Sequence, residues 1–176
     1  VKSLQFALER LGVRAVLTND RELIASANRV IFPGQGEAVS AMKKLIKNGL
    51  DQLIPSLKQP VLGICLGMQL LCDKTEEGET NGLGIVPTKV LRFPNTVKVP
   101  QMGWNLVTHS NTGLFRGIQQ GCYMYLVHSY FVPIEEVTSA KSYYAGEYSV
   151  GIKKNNFYGV QFHPEKNVFA IACGSM

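Results

Sequence analysis

Two hydrophobic periods alternate along the first part of the chain. Leu4, Ala7, Leu8 and Leu11 recur at helical spacing, and Gly12 stands where a helix C-terminus favours glycine. Residues 13–17 then read as a short strand, and Asp20 as the N-cap of a helix running to Ala27. Residues 29–32 give a second strand, broken by Pro33-Gly34-Gln35-Gly36. Helical patterns follow over 37–48 and 51–57, an apolar strand over 61–64, and helical character again over 66–72. Strands alternating with helices predict a mostly parallel central sheet with helices on both faces. The second half changes style. Residues 89–93, 105–109, 123–127, 148–153 and 157–162 read as strands separated by turns, which adds antiparallel strands to the same α/β domain, taken as one unit over residues 1–176.

Composition narrows the classes. A chain of 176 residues with 45% hydrophobic content buries an ordinary core. No apolar run approaches bilayer length, and the opening residues are patterned as a helix instead of a secretory signal, so no membrane role and a cytoplasmic location are expected. A start on Val1 suggests a missing upstream piece. The net charge of +5 includes Lys43, Lys44 and Lys47 on one predicted helix and Lys153-Lys154 beside a turn, which read as solvated surface. A nucleic-acid site needs a longer basic stripe with interleaved aromatics, so no nucleic-acid partner is expected. The four cysteines, Cys65, Cys72, Cys122 and Cys173, form no CxxC pair and have no histidine at zinc spacing. Neither a metal nor a disulfide framework is expected, and a cysteine of interest acts as a thiolate.

The strongest local signal is Gly63-Ile64-Cys65-Leu66-Gly67, a strand running straight into a helix. It is the cysteine form of a nucleophile elbow. A nucleophile at so sharp a turn takes a strained backbone conformation, and glycines on either side avoid collisions. The turn lifts the sulfur to a helix N-terminus, which favours thiolate, and aims the Leu66 N–H where an oxyanion would form. Cys72, inside the helical pattern, reads as core.

A thiolate needs a base, and the chain has three histidines. His109 lies near a turn with no acid beside it and reads as surface. His128 ends an apolar strand and reads as a structural imidazole. His163 opens His163-Pro164-Glu165 after a strand, where Glu165 can return to the same face and accept the second imidazole N–H. That fixes the tautomer and stabilises the imidazolium. Pro33-Gly34-Gln35-Gly36 follows a strand, and its glycines allow a peptide flip, so Gln35 and Gly36 are candidates for a second oxyanion donor. A dinucleotide reading of Gly34-x-Gly36 fails for want of the third glycine.

Taken in order, Pro33-Gly34-Gln35-Gly36, Gly63-Ile64-Cys65-Leu66-Gly67-Met68-Gln69 and His163-Pro164-Glu165 resemble the class I, triad-type glutamine amidotransferases. Lys98-Val99-Pro100-Gln101-Met102-Gly103-Trp104-Asn105 and Tyr125-Leu126-Val127-His128-Ser129-Tyr130 narrow the resemblance to the glutaminase subunit of imidazole glycerol phosphate synthase. The resemblance implies a flavodoxin-like fold and hydrolysis of L-glutamine to glutamate and ammonia through a Cys65 thioester. It implies a (β/α)8-barrel cyclase partner in histidine biosynthesis that receives the ammonia, and no cofactor. It also places Gln69, Ser129 and Tyr130 on the substrate and Lys166 at the cyclase. The family opens with a strand and glycine turn that do not precede Leu4 here, and the tail after Lys166 lacks the family's closing helix pattern. Gln35 and Gln101 stand where an apolar residue and a histidine are expected. Two other readings stay open: a glutaminase serving another synthase, such as anthranilate or guanylate synthesis, and a non-catalytic relative.

Overall fold

The structure, a computed structural model, describes residues 2–166. The expectations for Val1, for the tail after Lys166 and for Cys173 lie outside the described residues.

The chain opens with α1 (Lys2–Arg10). Residues 13–20 carry no regular structure, which corrects the strand expected over 13–17. Val16 and Leu17 are exposed there at 72% and 67%, and no strand pairs with them. A strand is made by its neighbour's hydrogen bonds, so an apolar pattern without a partner does not become one. Next comes α2 (Arg21–Ser26), whose N-cap Asp20 accepts from the Glu22 and Leu23 N–H groups at 2.8 and 3.1 Å. It is followed by β1 (Val30–Gly34), α3 (Ala38–Lys47), α4 (Leu50–Ser56), β2 (Val61–Cys65) and α5 (Leu66–Leu70). The helix expected over 66–72 is cut short because Cys72 starts β3 (Cys72–Thr75), which pairs in parallel with β5 (Val86–Arg92). Short β4 (Thr80–Asn81) lies between them in sequence. The second half supplies β6 (Gln101–His109), β7 (Cys122–His128), β8 (Tyr130–Phe131), β9 (Thr138–Tyr143), β10 (Glu147–Lys154) and β11 (Phe157–Val160).

A seven-stranded sheet runs β1-β2-β11-β10-β9-β6-β7, with β4-β3-β5-β8 as a smaller second sheet. β1, β2 and β11 are mutually parallel, and the strands from β10 to β7 extend the sheet antiparallel. Alternation along β2 sends Val61 into one apolar cluster and Leu62 and Ile64 into another, so the sheet separates two cores. The first holds Met42, Leu45, Ile54 and Leu70 from α3, α4 and α5. The second holds Phe93, Phe115, Leu126, Tyr148 and Phe162, and Leu4 of α1 packs against it. Helices therefore cover both faces, and the parallel strands end together at Gly34 and Cys65, which are paired in register.

Candidate active site

At the end of β2 the backbone must reverse from strand into α5 within one residue. Cys65 makes that turn at φ 55°, ψ −115°, a conformation that L-residues adopt only when their surroundings impose it. The imposition is visible in the glycines. A Cβ on Gly67 would overlap the Phe32 carbonyl, and one on Gly34 would overlap the backbone of Leu66 and Gly67. One on Gly63 would lie 2.8 Å from the Gly67 carbonyl. β1, β2 and α5 thus touch backbone to backbone, and this contact leaves the Cys65 side chain standing proud of the sheet. α5 has only five residues, so its dipole is a small influence next to a neighbouring full charge.

That charge comes from His163. Its backbone N–H bonds the Tyr125 carbonyl at 3.0 Å, anchoring it beside β7. Its Nδ1 lies 3.1 Å from Glu165 Oε1, and the Cys65 side chain is near enough to be the largest influence on its charge. The hydrogen bond to Cys65, then that to Glu165, push the His163 pKa up to about 9, against the burial that opposes charge. Burial pushes the Glu165 carboxyl up, but the His163 hydrogen bond and the residue's own backbone N–H prevail and hold it below its ordinary value. Ser3 Oγ of α1 lies 3.5 Å from the same carboxylate oxygen. Cys65, His163 and Glu165, the three residues expected from the sequence, are therefore neighbours here, with His163 bonded to Glu165 and influenced by Cys65.

Beside the sulfur lies a cavity of about 230 Å³. Gly36, Leu66, Gln69, Ser129 and Tyr130, all expected at the site, line it. Gln35 does not line it and is exposed to solvent. Glu77 lines the cavity unforeseen; in Thr75-Glu76-Glu77-Gly78-Glu79 it reads as a solvated acidic turn. Its Oε2 accepts the Ala38 N–H at 2.9 Å, and burial raises its pKa above the ordinary carboxylate value despite that bond. Gln161 was also missed. It is fully buried, with Nε2 3.7 Å from the Cys65 sulfur.

The other candidates separate cleanly. His128 is buried, its Nδ1 2.7 Å from the Tyr130 carbonyl and its Nε2 3.4 Å from Tyr148 Oη. Burial, opposed by the bond to Tyr130, pushes it down to about 4, so it is neutral at physiological pH. His109 is not the surface residue expected: it is buried and stacked on Phe115 at 4.8 Å, because the loop after β6 folds back over it. Burial pushes the Cys72 thiol up to about 12, which leaves it an inert core residue. Among the described residues, no group of three or more His, Cys, Asp or Glu side chains could hold a metal. No described helix is long and apolar enough to cross a membrane.

The sequence and the fold both have counterparts among known proteins. The family profile for glutamine amidotransferase class-I matches residues 2–168. An imidazole glycerol phosphate synthase subunit HisH from Bacteroides fragilis is 48% identical over 170 residues, covering 95% of this chain and 87% of the relative. The subunit of that name from Haemophilus influenzae is 46% identical over 169 residues, covering 95% and 85%. Among solved structures, a glutamine amidotransferase superimposes with a TM-score of 0.74 at 18% identity, covering 97% of this chain and 88% of that one. Another, from Thermotoga maritima, gives 0.64 at 19% identity, covering 92% and 69%. The chain belongs to the class-I glutamine amidotransferase family.

Proposed function

We propose that this chain is the glutaminase subunit of an imidazole glycerol phosphate synthase in histidine biosynthesis, acting in the cytoplasm. It hydrolyses L-glutamine through a thioester on Cys65 and passes the ammonia to a (β/α)8-barrel cyclase subunit. The observation that carries the reading is that Cys65 lines a cavity of about 230 Å³ and has beside it His163, itself bonded to Glu165.

The Cys65 thiolate attacks the side-chain amide carbon of glutamine, and the carbonyl oxygen takes the charge. The Leu66 N–H meets that oxyanion, with a second donor from the Gln35–Gly36 peptide. The imidazolium of His163 gives its proton to the leaving nitrogen as the C–N bond breaks, releasing ammonia. His163, now neutral, takes a proton from water, and the hydroxide formed cleaves the thioester to glutamate and thiolate. Glu165 keeps the imidazole oriented throughout. Both hydrogens on Gln69 Nε2 are held by the Tyr130 carbonyl and Gln161 Oε1, at 3.0 and 2.9 Å, so Gln69 offers the substrate its oxygen. Glu77, a carboxylate on the cavity wall, suits the α-ammonium of glutamine, and Ser129 and Tyr130 line the same cavity.

The partner's surface is the outer face of the β6–β7 hairpin. Met102, Trp104, Leu106 and Tyr123 are exposed on it, at 66, 54, 48 and 62%. The face runs directly into the site: Tyr125 meets Trp104 edge to face, approaches His163, and carries Lys166 Nζ 4.1 Å above its ring. So large an apolar patch, continuous with the active site, fits the synthase subunit that must collect the ammonia.

The test is Cys65→Ala in the assembled synthase. Glutamine-dependent turnover should fall by several orders of magnitude while turnover with free ammonia persists. Retained glutamine hydrolysis in that variant rejects Cys65 as nucleophile.

A further inference from the structure

The sulfur of Cys65 has a second polar neighbour besides His163. Gln161 lies between β11 and His163, is entirely buried, and points its amide across the sheet end, with Nε2 3.7 Å from Sγ. At that distance the identity of the atom matters: a nitrogen would favour thiolate, an oxygen would oppose it. An amide's two ends look alike in outline, so the hydrogen-bond network must decide.

The network decides it from a fixed point. The Tyr130 backbone carbonyl can only accept, so the Gln69 atom at 3.0 Å from it is the nitrogen. That same nitrogen lies 2.9 Å from the Gln161 side chain, whose facing atom must accept and is therefore Oε1. The remaining end of the Gln161 amide, directed at Cys65, is then the donor. One backbone carbonyl on β8 thus orients two amides in succession, on α5 and after β11, and ends at the nucleophile. Burial adds force to the assignment. A fully buried N–H needs a partner, and the sulfur is the acceptor on offer, weak as a thiol and strong as a thiolate.

We infer that Gln161 is a catalytic residue that donates an N–H to the Cys65 thiolate and holds it in reactive form, with Gln69 and the Tyr130 carbonyl as the positioning groups that fix the donor's direction. The inference rests on Cys65 being the nucleophile. Its chemistry is distinct from that of His163. The imidazole exchanges a proton with the reacting groups, whereas the amide cannot, and stays a donor to sulfur before attack and again when thiolate departs from the thioester. The relay also ties the nucleophile to the wall that receives substrate, because Gln69 and Tyr130 both line the cavity.

The experiment is the pH dependence of Cys65 alkylation by iodoacetamide on the full chain, read on the Cys65 peptide by mass spectrometry. Two variants are compared with wild type. Gln161→Met keeps the volume and removes the donor. Gln161→Glu keeps the shape and puts an acceptor against the sulfur. In Gln161→Met the profile should move up by about one pH unit, a roughly tenfold loss of alkylation rate at neutral pH. Gln161→Glu should move it further, because a carboxylate opposes thiolate directly. Profiles superimposable on wild type overturn the inference while leaving Cys65 as the activated cysteine. If wild-type Cys65 itself reacts no faster than Cys122, the nucleophile assignment fails and this inference with it. Should Gln161→Met not fold, the isosteric Gln161→Glu carries the test alone, with an unmoved profile as the overturning result.

Discussion

His163 sits between the Cys65 sulfur and the Glu165 carboxylate, and both favour its charged form. That double demand raises its pKa from 6.5 to about 9. A raised folded value means that its contribution to stability is complete below the unfolded value and is lost as pH rises through about 9. Glu165 runs the other way: its folded value is lowered, so its contribution is present above 4.5 and is lost as pH falls through the lower folded value. The charged pair is therefore intact across neutral pH, and its loss on the alkaline side belongs to His163. His163→Ala should cost nearly as much glutaminase rate as Cys65→Ala, since members of such a unit fail together. Glu165→Gln should cost less, because Glu165 orients the imidazole without taking the proton. It should also move the alkaline limb of kcat/KM downward, because one of the two hydrogen bonds that raise His163 loses its charge. An alkaline limb unmoved in Glu165→Gln would show that the carboxylate does not act through the imidazole.

Between residue and molecule stands the elbow, where three backbones meet and side chains are excluded. Gly67 lies in α5 with no positive φ, so any cost of substitution there is steric, set by the Phe32 carbonyl. Gly67→Ala should destabilise the fold by about 1–3 kcal/mol, the usual range for overpacking, and should unseat Cys65 with it. Chemical denaturation with an unshifted midpoint would refute the close packing of β1 on α5. This element was legible in the sequence because its geometry is local: Gly63, Cys65 and Gly67 carry both the turn and the proposed nucleophile within one short run. His163 and Glu165 were legible for the same reason. The strand expected over 13–17 was not real here, since pairing depends on a neighbour and not on apolar residues such as Val16. β3 and β9 went unseen because CDKT and TSAKSY lack the alternation of a half-buried strand and are held by partners distant in sequence. Gln161 and Glu77 escaped because each acquires its meaning from residues far along the chain: Gln161 from Gln69, Tyr130 and Cys65, and Glu77 from the N-terminus of α3.

At the scale of the whole molecule, the site opens beside a broad apolar face, and a glutaminase without an acceptor wastes ammonia. The two facts meet at the Pro33–Gly36 segment. On the proposed mechanism the elbow offers one oxyanion donor at Leu66, and an absent second donor would cost on the order of 10²–10³ in rate, about 3–4 kcal/mol. The isolated chain should accordingly hydrolyse glutamine slowly, and the cyclase subunit should restore that factor by favouring the donor conformation of the Gln35–Gly36 peptide. The glycine that tests this is Gly36, not Gly34. A Cβ on Gly34 would strike α5 and disturb the elbow itself, whereas Gly36 has φ 92° and open space around the Cβ position. Gly36→Ala therefore leaves the elbow packing alone and biases the backbone conformation of the loop by about 1–2 kcal/mol against positive φ. Measured as kcat for glutamine with and without cyclase, the activation ratio should be about 10²–10³ in wild type and should change about tenfold in Gly36→Ala. Trp104→Ala, on the docking face, should weaken assembly and leave the rate of the saturated complex intact. Full activity in the lone subunit, or a Gly36→Ala ratio equal to wild type, removes gating by this loop and leaves the triad as a constitutively assembled site.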